Sequence, residues 1–470
     1  MDHEFDSIIV GAGPAGEIIA GRLAARGKRV AIAERELIGG ECSYWACMPS
    51  KALLRPAEAL AEVARVPGAA QAVTGELDVK AALARRDEVI HDLSDDGQVQ
   101  WLDSREIALF RGHARLDGER VVQVGEDRLT ARDAVVIAVG SGAVMPPIDG
   151  LADASAWSNR EITTTSDVPA RLLVLGGGVV GVEMAQAWSS LGSRVTVIEA
   201  LDGLLAREEP FAGEQIADAL RERGVDVRTG VKATRVARDG DTITVTLEDG
   251  ESVTGERLLV AVGRRPHTDD LGLETVGLKA GRTIDVDDQL RVPDLPWLYA
   301  VGDVNGRSLL THSGKYQARL ASDHILGGEV TAIADGPGAP RVVFSDPQVA
   351  AVGLTLAGAR ERGIDTVEID LTTSATAGAS FYGRNAPGTT RFVVDAERQL
   401  LVGATFVGAE VADMLQAATV AIVGRVPLQT LAHAVAPFPT RSELWLKFIE
   451  EYEERQGFSL HTGRAAALTS

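Results

Sequence analysis

Cysteine is nearly absent from this chain: 470 residues contain two, and both lie in GGECSYWACMPSK, Gly39 to Lys51. A structural staple explains the pair poorly, because closing so short a loop removes only about 2 kcal/mol of unfolded-chain entropy. A metal site would be half empty, since no histidine or further cysteine lies nearby in the sequence. The scarcity fits a reducing compartment, in which paired thiols are more often catalytic than structural. Cys42 and Cys47 are therefore a candidate redox pair.

The chain also lacks a long apolar run and an excess of basic residues. No uninterrupted apolar segment approaches the ~18 residues of a membrane span, and the acidic opening MDHEFDSIIV does not resemble a signal peptide. A total of 47 basic and 67 acidic residues gives a net charge of -20, which disfavours binding to nucleic acid or anionic membranes. We expect a cytoplasmic protein of about three domains.

The segment FDSIIVGAGPAGEIIAGRLAARGKRVAIAE has the pattern strand, glycine turn, helix, strand. Gly11, Gly13 and Gly16 follow the apolar strand directly, and Glu34 closes the next strand 23 positions after Gly11. The glycines permit the turn, the close approach of a pyrophosphate and the packing of helix on sheet. The helix N-terminus then faces the phosphates with its partial positive charge. This pattern predicts a dinucleotide site.

The same pattern recurs in RLLVLGGGVVGVEMAQAWSSLGSRVTVIE. Gly176 and Glu199 are again 23 positions apart, and each lies 165 positions after its counterpart in the first segment. The repeat predicts two dinucleotide sites and the passage of electrons from one cofactor to the other.

The neighbouring residues indicate which dinucleotide each unit binds. Because Cys42 lies eight residues after Glu34, we expect the first unit to carry a flavin, which accepts hydride and reduces a disulfide. The second unit is then expected to bind the nicotinamide. Glu199 suits the ribose hydroxyls of NADH, whereas a 2'-phosphate at 4 Å would be repelled by about 4 kcal/mol per charge pair. Ala200 and Leu201 offer no compensating cation, so we expect NADH rather than NADPH.

Four segments together resemble the class I flavoprotein disulfide reductases, such as dihydrolipoamide dehydrogenase, glutathione reductase and mercuric reductase. The cysteine segment is similar to their signature, in which two cysteines flank four residues and precede Pro-Ser-Lys. The others are AVVIAVGS, LLVAVGRRPHT and WLYAVGDV. The resemblance implies an α/β fold with two Rossmann-like dinucleotide-binding domains, for FAD and NAD, plus a C-terminal α+β dimerisation domain. The implied divisions are 1–155 for FAD, 156–276 for NAD, 277–340 returning to the FAD domain and 341–470 at the interface.

The resemblance also implies residue roles. Cys42 is expected to attack substrate, and Cys47 to stack against the flavin. Lys51 is expected near flavin N5, paired with Glu183, because a cation there stabilises reduced flavin and the thiolate. Further flavin-binding residues are expected at Gly11, Gly13, Pro14, Ala15, Gly16, Glu34, Gly40, Gly140 and Asp303, and nicotinamide-binding residues at Gly176, Gly178, Val180, Gly181, Glu199 and Gly263.

The C-terminal motif departs from the family pattern. Thiol-handling members carry H-x-H-P-T-x-S-E, but this chain reads APFPTRSE, with Phe438 in place of the catalytic histidine. Glu443, which would orient that base, is retained. Since loss of a general base typically costs about 10²–10⁴ in rate, we expect poor oxidation of dithiols. His312 is the candidate replacement, with Lys315 and Tyr316 as further polar groups on the same segment.

Three functional hypotheses follow. In the first, hydride passes from NADH through FAD to the Cys42–Cys47 disulfide and on to a small substrate. In the second, the chain is a mercuric reductase-like or diaphorase-like NADH:acceptor reductase for quinones or metal ions. In the third, it is a flavin-binding subunit of a larger complex. The family resemblance implies a homodimer, no resident metal is expected, and we expect the tail after about Phe458 to be mobile.

Overall fold

The computed structural model describes residues 1–383 and 388–462. Its first unit is built on a seven-stranded sheet of order β3-β2-β1-β6-β5-β4, with β16 added in parallel to β6. The strands of this unit are β1 Asp2–Val10, β2 Val30–Glu34, β3 Ala108–Arg111, β4 Ala114–Leu116, β5 Val121–Val124, β6 Asp127–Ile137, β7 Ser141–Ala143 and β16 Leu298–Ala300. Its helices are α1 Pro14–Ala24, α2 Gly40–Tyr44, α3 Cys47–Arg65, α4 Val79–Val89, α5 Asp96–Asp103 and α9 Thr311–Ile325.

Helices α1 and α9 pack together on one face of this sheet. Ile19 and Leu23 of α1 are fully buried against the strands, as the apolar spacing of the helix requires. Arg22 at the end of α1 donates to Ser322 and Asp323 of α9 at 2.7 and 2.5 Å. The packing fixes the N-termini of both helices relative to the cysteine segment.

The second unit has a four-stranded parallel sheet of order β10-β9-β8-β14 and a three-stranded antiparallel sheet, β11-β12-β13. Its core surrounds the fully buried Trp188 of α7. Strand β15 returns to pair antiparallel with β7 of the first unit. The elements are α6 Asn159–Thr164, β8 Arg171–Leu175, α7 Val179–Ser190, β9 Arg194–Ile198, α8 Pro210–Glu222, β10 Asp226–Arg228, β11 Ala233–Asp239, β12 Thr242–Leu247, β13 Ser252–Gly255, β14 Arg257–Val260 and β15 Arg264–Pro266.

The C-terminal unit is a five-stranded antiparallel sheet of order β17-β18-β21-β20-β19, covered by helices. Phe392 and Phe448 stack in its core with ring centroids 4.3 Å apart. The elements are β17 Arg341–Val343, β18 Gln348–Gly353, α10 Leu356–Glu361, β19 Thr366–Thr372, β20 Thr389–Asp395, β21 Leu400–Gly408, α11 Leu415–Val423, α12 Leu428–Leu431 and α13 Glu443–Gln456.

Short 3-10 turns connect several of these elements, at Ala70–Ala72, His91–Leu93, Leu273–Val276, Asp303–Asn305, Gly336–Gly338, Gly378–Tyr382 and Val411–Met414. Of the tail after Phe458, Leu460 is buried in the C-terminal core, and its N–H donates to Glu453 at 2.6 Å. Residues 463–470, the rest of that tail, lie outside the described residues.

The two glycine turns have the same geometry. Gly11 and Gly176 adopt φ of 99° and 111°, a conformation that favours glycine. A Cβ on Gly16 or Gly181 would lie 2.0 or 1.9 Å from the carbonyl oxygen of the first glycine in its turn, so each helix packs on backbone.

Substitutions in the second turn separate folding from ligand binding. Gly181→Ala is expected to destabilise the protein by about 1–3 kcal/mol, because the added methyl group overlaps backbone. Gly178 is the matched control, since a Cβ there meets nothing within 4 Å. Gly178→Ala should leave thermal stability nearly unchanged and weaken NADH binding, measured by fluorescence titration. An equal loss of thermal stability in both variants would contradict this account.

Candidate active site

The cysteine segment places its two thiols at the junction of two helices. Cys42 lies within α2, and Cys47 is the first residue of the 19-residue helix α3. The Cys47 sulfur lies 3.4 Å from the hydroxyl oxygen of Thr311, the first residue of α9. Both cysteines are partly buried, and no bond joins their sulfur atoms in this structure.

The surroundings polarise the two thiols in opposite directions. A hydrogen bond from the Cys42 thiol, aided by the Thr311 hydroxyl and the positive charge of Lys51, lowers the pKa of Cys47 to about 6 despite its burial. The hydrogen bond to Cys47, together with burial, raises the pKa of Cys42. The α3 N-terminus adds a partial positive charge at Cys47. Near neutral pH, Cys47 is therefore the thiolate and Cys42 the thiol.

Lys51 is held one turn into α3 by residues of the other two units. Its ammonium donates to Glu183 Oε2 at 2.7 Å and lies 4.8 Å from the ring centroid of Phe344. Glu183, in α7, is only 2% exposed, and its second oxygen accepts the Phe344 N–H at 3.0 Å. The sequence prediction paired these two residues, and the structure places them in contact.

The strand-end glutamates of the two glycine turns make equivalent hydrogen bonds. Each carboxylate accepts the N–H of the residue after the first glycine and the N–H two positions beyond itself. The distances are 2.7 and 2.8 Å for Glu34, and 2.5 and 2.8 Å for Glu199. Each glutamate is therefore hydrogen-bonded to the backbone of its own glycine turn.

The first turn fits a dinucleotide such as FAD. A Cβ on Gly13 would meet nothing within 4 Å, which leaves open space in front of the α1 N-terminus. Gly40 packs closely on Gly13, since a Cβ added to Gly40 would lie 2.9 Å from the Gly13 Cα. Ala15 lies beside Gly302. Open space beside the N–H groups of a helix N-terminus is the shape that a pyrophosphate requires. Pro14 is the first residue of that helix.

The remaining residues that were predicted to bind dinucleotides lie just after parallel strands or at the start of α7. Gly140 and Gly263, each three residues after a parallel strand, have positive φ and open space at the Cβ position. Gly178 is the N-cap of α7 and has the same open space at the Cβ position as Gly13, and Val180 is partly buried against the core of the second unit.

Asp303 lies between the first and second units. Its carboxylate accepts the Ser141 hydroxyl at 2.5 Å, and Arg264 donates to that hydroxyl at 2.8 Å. Burial raises the pKa of Asp303, while the Ser141 hydroxyl and the Arg264 guanidinium oppose the shift. A partly buried carboxylate with remaining acceptor capacity can hold a hydroxyl of a ribityl chain.

The aromatic residues between the thiols pack within the protein. Tyr44 is fully buried, and its hydroxyl donates to the Ser94 carbonyl at 3.2 Å. Arg160 stacks over the Trp45 ring at 4.3 Å and donates to Glu41 at 2.6 Å. This ion pair links the cysteine segment to α6, and the sequence analysis did not identify it.

His312 and Glu443 do not meet at the thiols within this chain. His312 is exposed, and it is Thr311, overlooked in the sequence, that contacts Cys47. Glu443 is buried, and one of its oxygens accepts the N–H groups of Gly378 and Thr440, both at 2.9 Å. Glu443 therefore braces the backbone of the C-terminal loop. The sequence feature that could have indicated this contact is the position of Thr311 at the start of the helix that follows Asp303.

The C-terminal loop presents apolar side chains to solvent. Phe438 is 78% exposed and Val435 is 91% exposed. Two large apolar side chains in one short loop make it a candidate contact surface. Phe438 provides no group that can accept a proton.

Fold and site together define an oxidoreductase with two dinucleotide-binding units and a thiol pair. A family model described as pyridine nucleotide-disulphide oxidoreductase matches residues 5–321, and the model of that family's dimerisation domain matches residues 339–448. The chain therefore belongs to the pyridine nucleotide-disulphide oxidoreductase family, as its motifs indicated. Enzymes of this family are FAD-dependent and use a pyridine nucleotide.

Relatives with several activities resemble the chain over nearly its whole length. A dihydrolipoyl dehydrogenase of Thermus scotoductus is 34% identical over 448 residues, covering 93% of this chain and 95% of the relative. A mercuric reductase of Acidithiobacillus ferrooxidans is 34% identical over 452 residues, covering 94% of this chain and 81% of the relative. Among solved structures, the Cu(II) complex of RclA, a HOCl-induced flavoprotein disulfide reductase from Escherichia coli, is 27% identical. The match covers 94% of this chain and 98% of RclA, with a TM-score of 0.82.

Neither a membrane-spanning helix nor a metal cluster is present in the described part of the chain. Within residues 1–383 and 388–462, no helix is both long and apolar enough to cross a membrane. The same residues contain no group of three or more His, Cys, Asp or Glu side chains arranged to hold a metal ion.

The polarised thiols give a pH-dependent signature. Because the pKa of Cys47 is lowered to about 6, alkylation of the reduced protein by iodoacetamide should rise as pH increases through about 6. Thr311→Val should shift this midpoint to higher pH, because the thiolate loses a hydrogen bond. Thr234→Val, on the exposed part of β11, is the control and should leave the midpoint unchanged. A midpoint near the ordinary thiol value in the unaltered protein would refute the polarised pair.

Proposed function

We propose that this protein is an NADH-dependent, FAD-containing reductase that passes electrons through Cys42 and Cys47 to a small disulfide. The polarised thiol pair is the observation that carries the proposal: one sulfur is held as thiolate beside Thr311, and the other as a thiol. A pair of this kind can store two electrons as a dithiol and release them by forming its own disulfide.

The chain's own residues suit this chemistry. Gly13, Gly40, Glu34 and Asp303 would hold FAD. When bound, FAD accepts hydride from the nicotinamide and supplies electrons to the disulfide. Lys51, fixed by Glu183, keeps a positive charge beside the Cys47 thiolate.

We infer that the enzyme reduces disulfides rather than oxidising dithiols, because its C-terminal loop carries Phe438 at the position of a base. Oxidation of a dithiol needs a base to remove thiol protons, and Phe438 stands where relatives with a histidine supply that base. Reduction of a disulfide with a low-pKa leaving thiol needs less proton transfer.

We also infer a homodimer, because the exposed Val435 and Phe438 lie within the matched dimerisation domain. The scarcity of cysteine in the sequence fits action in a reducing compartment such as the cytoplasm.

NADH is the favoured donor because the second glycine turn presents the Glu199 carboxylate, and the arginine on the neighbouring strand is already paired. Arg228 lies on that strand, β10, and its guanidinium donates to Asp226 and Glu251, both at 2.9 Å. A 2'-phosphate beside Glu199 would therefore meet a negative charge that Arg228 does not offset.

Nucleotide preference can be measured directly. The unaltered enzyme should show a kcat/KM for NADH about 10-fold or more above that for NADPH, because of repulsion at Glu199. Glu199→Ala should narrow this ratio, mainly through a higher KM for NADH. Glu222→Ala, an exposed position on α8, is the control. A lower KM for NADPH than for NADH would overturn the preference.

A second candidate acceptor is a thiophilic metal ion or a quinone. Relatives named mercuric reductase and a neighbour solved as a Cu(II) complex favour the metal ion, as does the absence of a histidine at Phe438. No further cysteines exist in this chain to deliver such an ion to the pair. The disulfide therefore remains the first proposal.

Cys42→Ser distinguishes the two acceptor classes. Disulfide turnover with NADH should be lost, since the attacking sulfur is gone, while quinone turnover that bypasses the thiols should persist. Ser43→Ala, the adjacent position in α2, is the control and should keep both activities. If the serine variant still reduces disulfides, Cys42 is not the attacking thiol.

A further inference from the structure

Helix α6 of the second unit lies against the segment that joins the two thiols. Trp45 is the C-cap of α2, and α3 begins two residues later with Cys47, so the backbone at Trp45 sets where Cys47 lies relative to Cys42. The Trp45 carbonyl accepts hydrogen bonds from the side chains of Asn159 and Thr163, at 2.9 and 3.2 Å. Both donors belong to α6, so the backbone between the thiols is held from the second unit.

Arg160, also in α6, holds side chains of the same segment. Its guanidinium lies over the Trp45 ring, 4.3 Å from the ring centroid. Its Nε donates to Glu41 at 2.6 Å, and one of its terminal nitrogens donates to Glu36 at 2.7 Å. Glu41 is the residue before Cys42, and Trp45 lies between the two cysteines. One planar cation therefore grips the segment at two points, by stacking and by a charge-assisted hydrogen bond.

Helix α6 is itself anchored at both ends. A capping box between Ser158 and Glu161 closes its N-terminus. At the other end, the fully buried Arg86 of α4 donates to the carbonyl oxygens of Thr163 and Thr165, at 2.7 and 3.0 Å. Because these end groups are satisfied, the short helix is a firm support for the cysteine segment.

We propose that Arg160 is a positioning residue that keeps the sulfurs of Cys42 and Cys47 within bonding range and so favours their disulfide. It acts through the Trp45 ring and the Glu41 carboxylate. Holding two reacting groups in place raises their effective concentration and reduces the entropy lost when the bond forms. Arg160 therefore makes the dithiol a stronger electron donor. This inference rests on the proposed function, in which the pair cycles between disulfide and dithiol.

The equilibrium of the pair with dithiothreitol measures this effect. When dithiothreitol reduces the Cys42–Cys47 disulfide, two electrons pass to the protein and the reagent closes its own ring disulfide. Near neutral pH, one proton stays on Cys42 and one is released. The dithiol fraction of the FAD-loaded protein is read by maleimide labelling and mass spectrometry over a series of reduced-to-oxidised ratios.

Arg160→Ala should raise the dithiol fraction at a given ratio, because the looser segment lowers the effective concentration of the thiols. We expect a shift of about 3- to 10-fold in the equilibrium constant, or about 15–30 mV toward easier reduction. Trp45→Leu removes the ring, keeps the ion pair and should shift the equilibrium in the same direction. It carries the test if Arg160→Ala does not retain FAD.

Arg105→Ala is the matched control. Arg105 lies over the Trp101 ring at the same 4.3 Å, at the end of α5, and its guanidinium donates to the Trp101 carbonyl and the Ser104 hydroxyl. Its removal also deletes a stacked arginine, but the equilibrium constant of the thiols should stay unchanged. No shift in FAD-loaded Arg160→Ala, or an equal shift in Arg105→Ala, would overturn the proposal.

The double variant tests the route through the ring. Arg160→Ala combined with Trp45→Leu should shift the equilibrium by less than the sum of the single shifts, because both changes remove the same stacked contact. A full sum would show that Arg160 acts without the ring and would overturn the proposed route. An unaltered protein that forms no Cys42–Cys47 disulfide at any dithiothreitol ratio would instead overturn the proposed function.

Discussion

The carboxylate of Glu183 joins three parts of the chain at the thiol pair. Its two oxygens accept hydrogen bonds from the Lys51 ammonium of α3 and the backbone N–H of Phe344, while Glu183 itself lies in α7 of the second unit. A carboxylate this deeply buried is stable only when it is paired and hydrogen-bonded, so each of the three segments is constrained by the other two. The charge beside Cys47 is therefore fixed by packing between units.

The two thiols differ because their surroundings differ. Cys47 begins a long helix and receives hydrogen bonds from the Cys42 thiol and the Thr311 hydroxyl, all of which favour its charged form. Cys42 donates to that charge and consequently keeps its proton. One sulfur is thus suited to electron transfer within the protein, and the other to exchange with a substrate. This division needs no C-terminal histidine.

A buried acid shapes the C-terminal loop. Glu443 accepts two backbone N–H groups and holds the loop in shape, while the exposed Phe438 is an apolar side chain that cannot accept a proton. The loop therefore combines a braced backbone with an exposed apolar side chain.

Much of the architecture could be predicted from the sequence because its constraints are local. The glycine turns, their strand-end acids at a 165-residue offset and the cysteine segment each require particular residues at fixed short spacings, so they identify two dinucleotide units and a family. The sequence also paired Lys51 with Glu183, through the family resemblance. It did not find Thr311, which is 264 positions from Cys47 in the sequence. That contact, and the hydrogen bonds that lower the pKa of Cys47, exist only once the fold brings α2, α3 and α9 together, because distances between remote residues are properties of the packed chain.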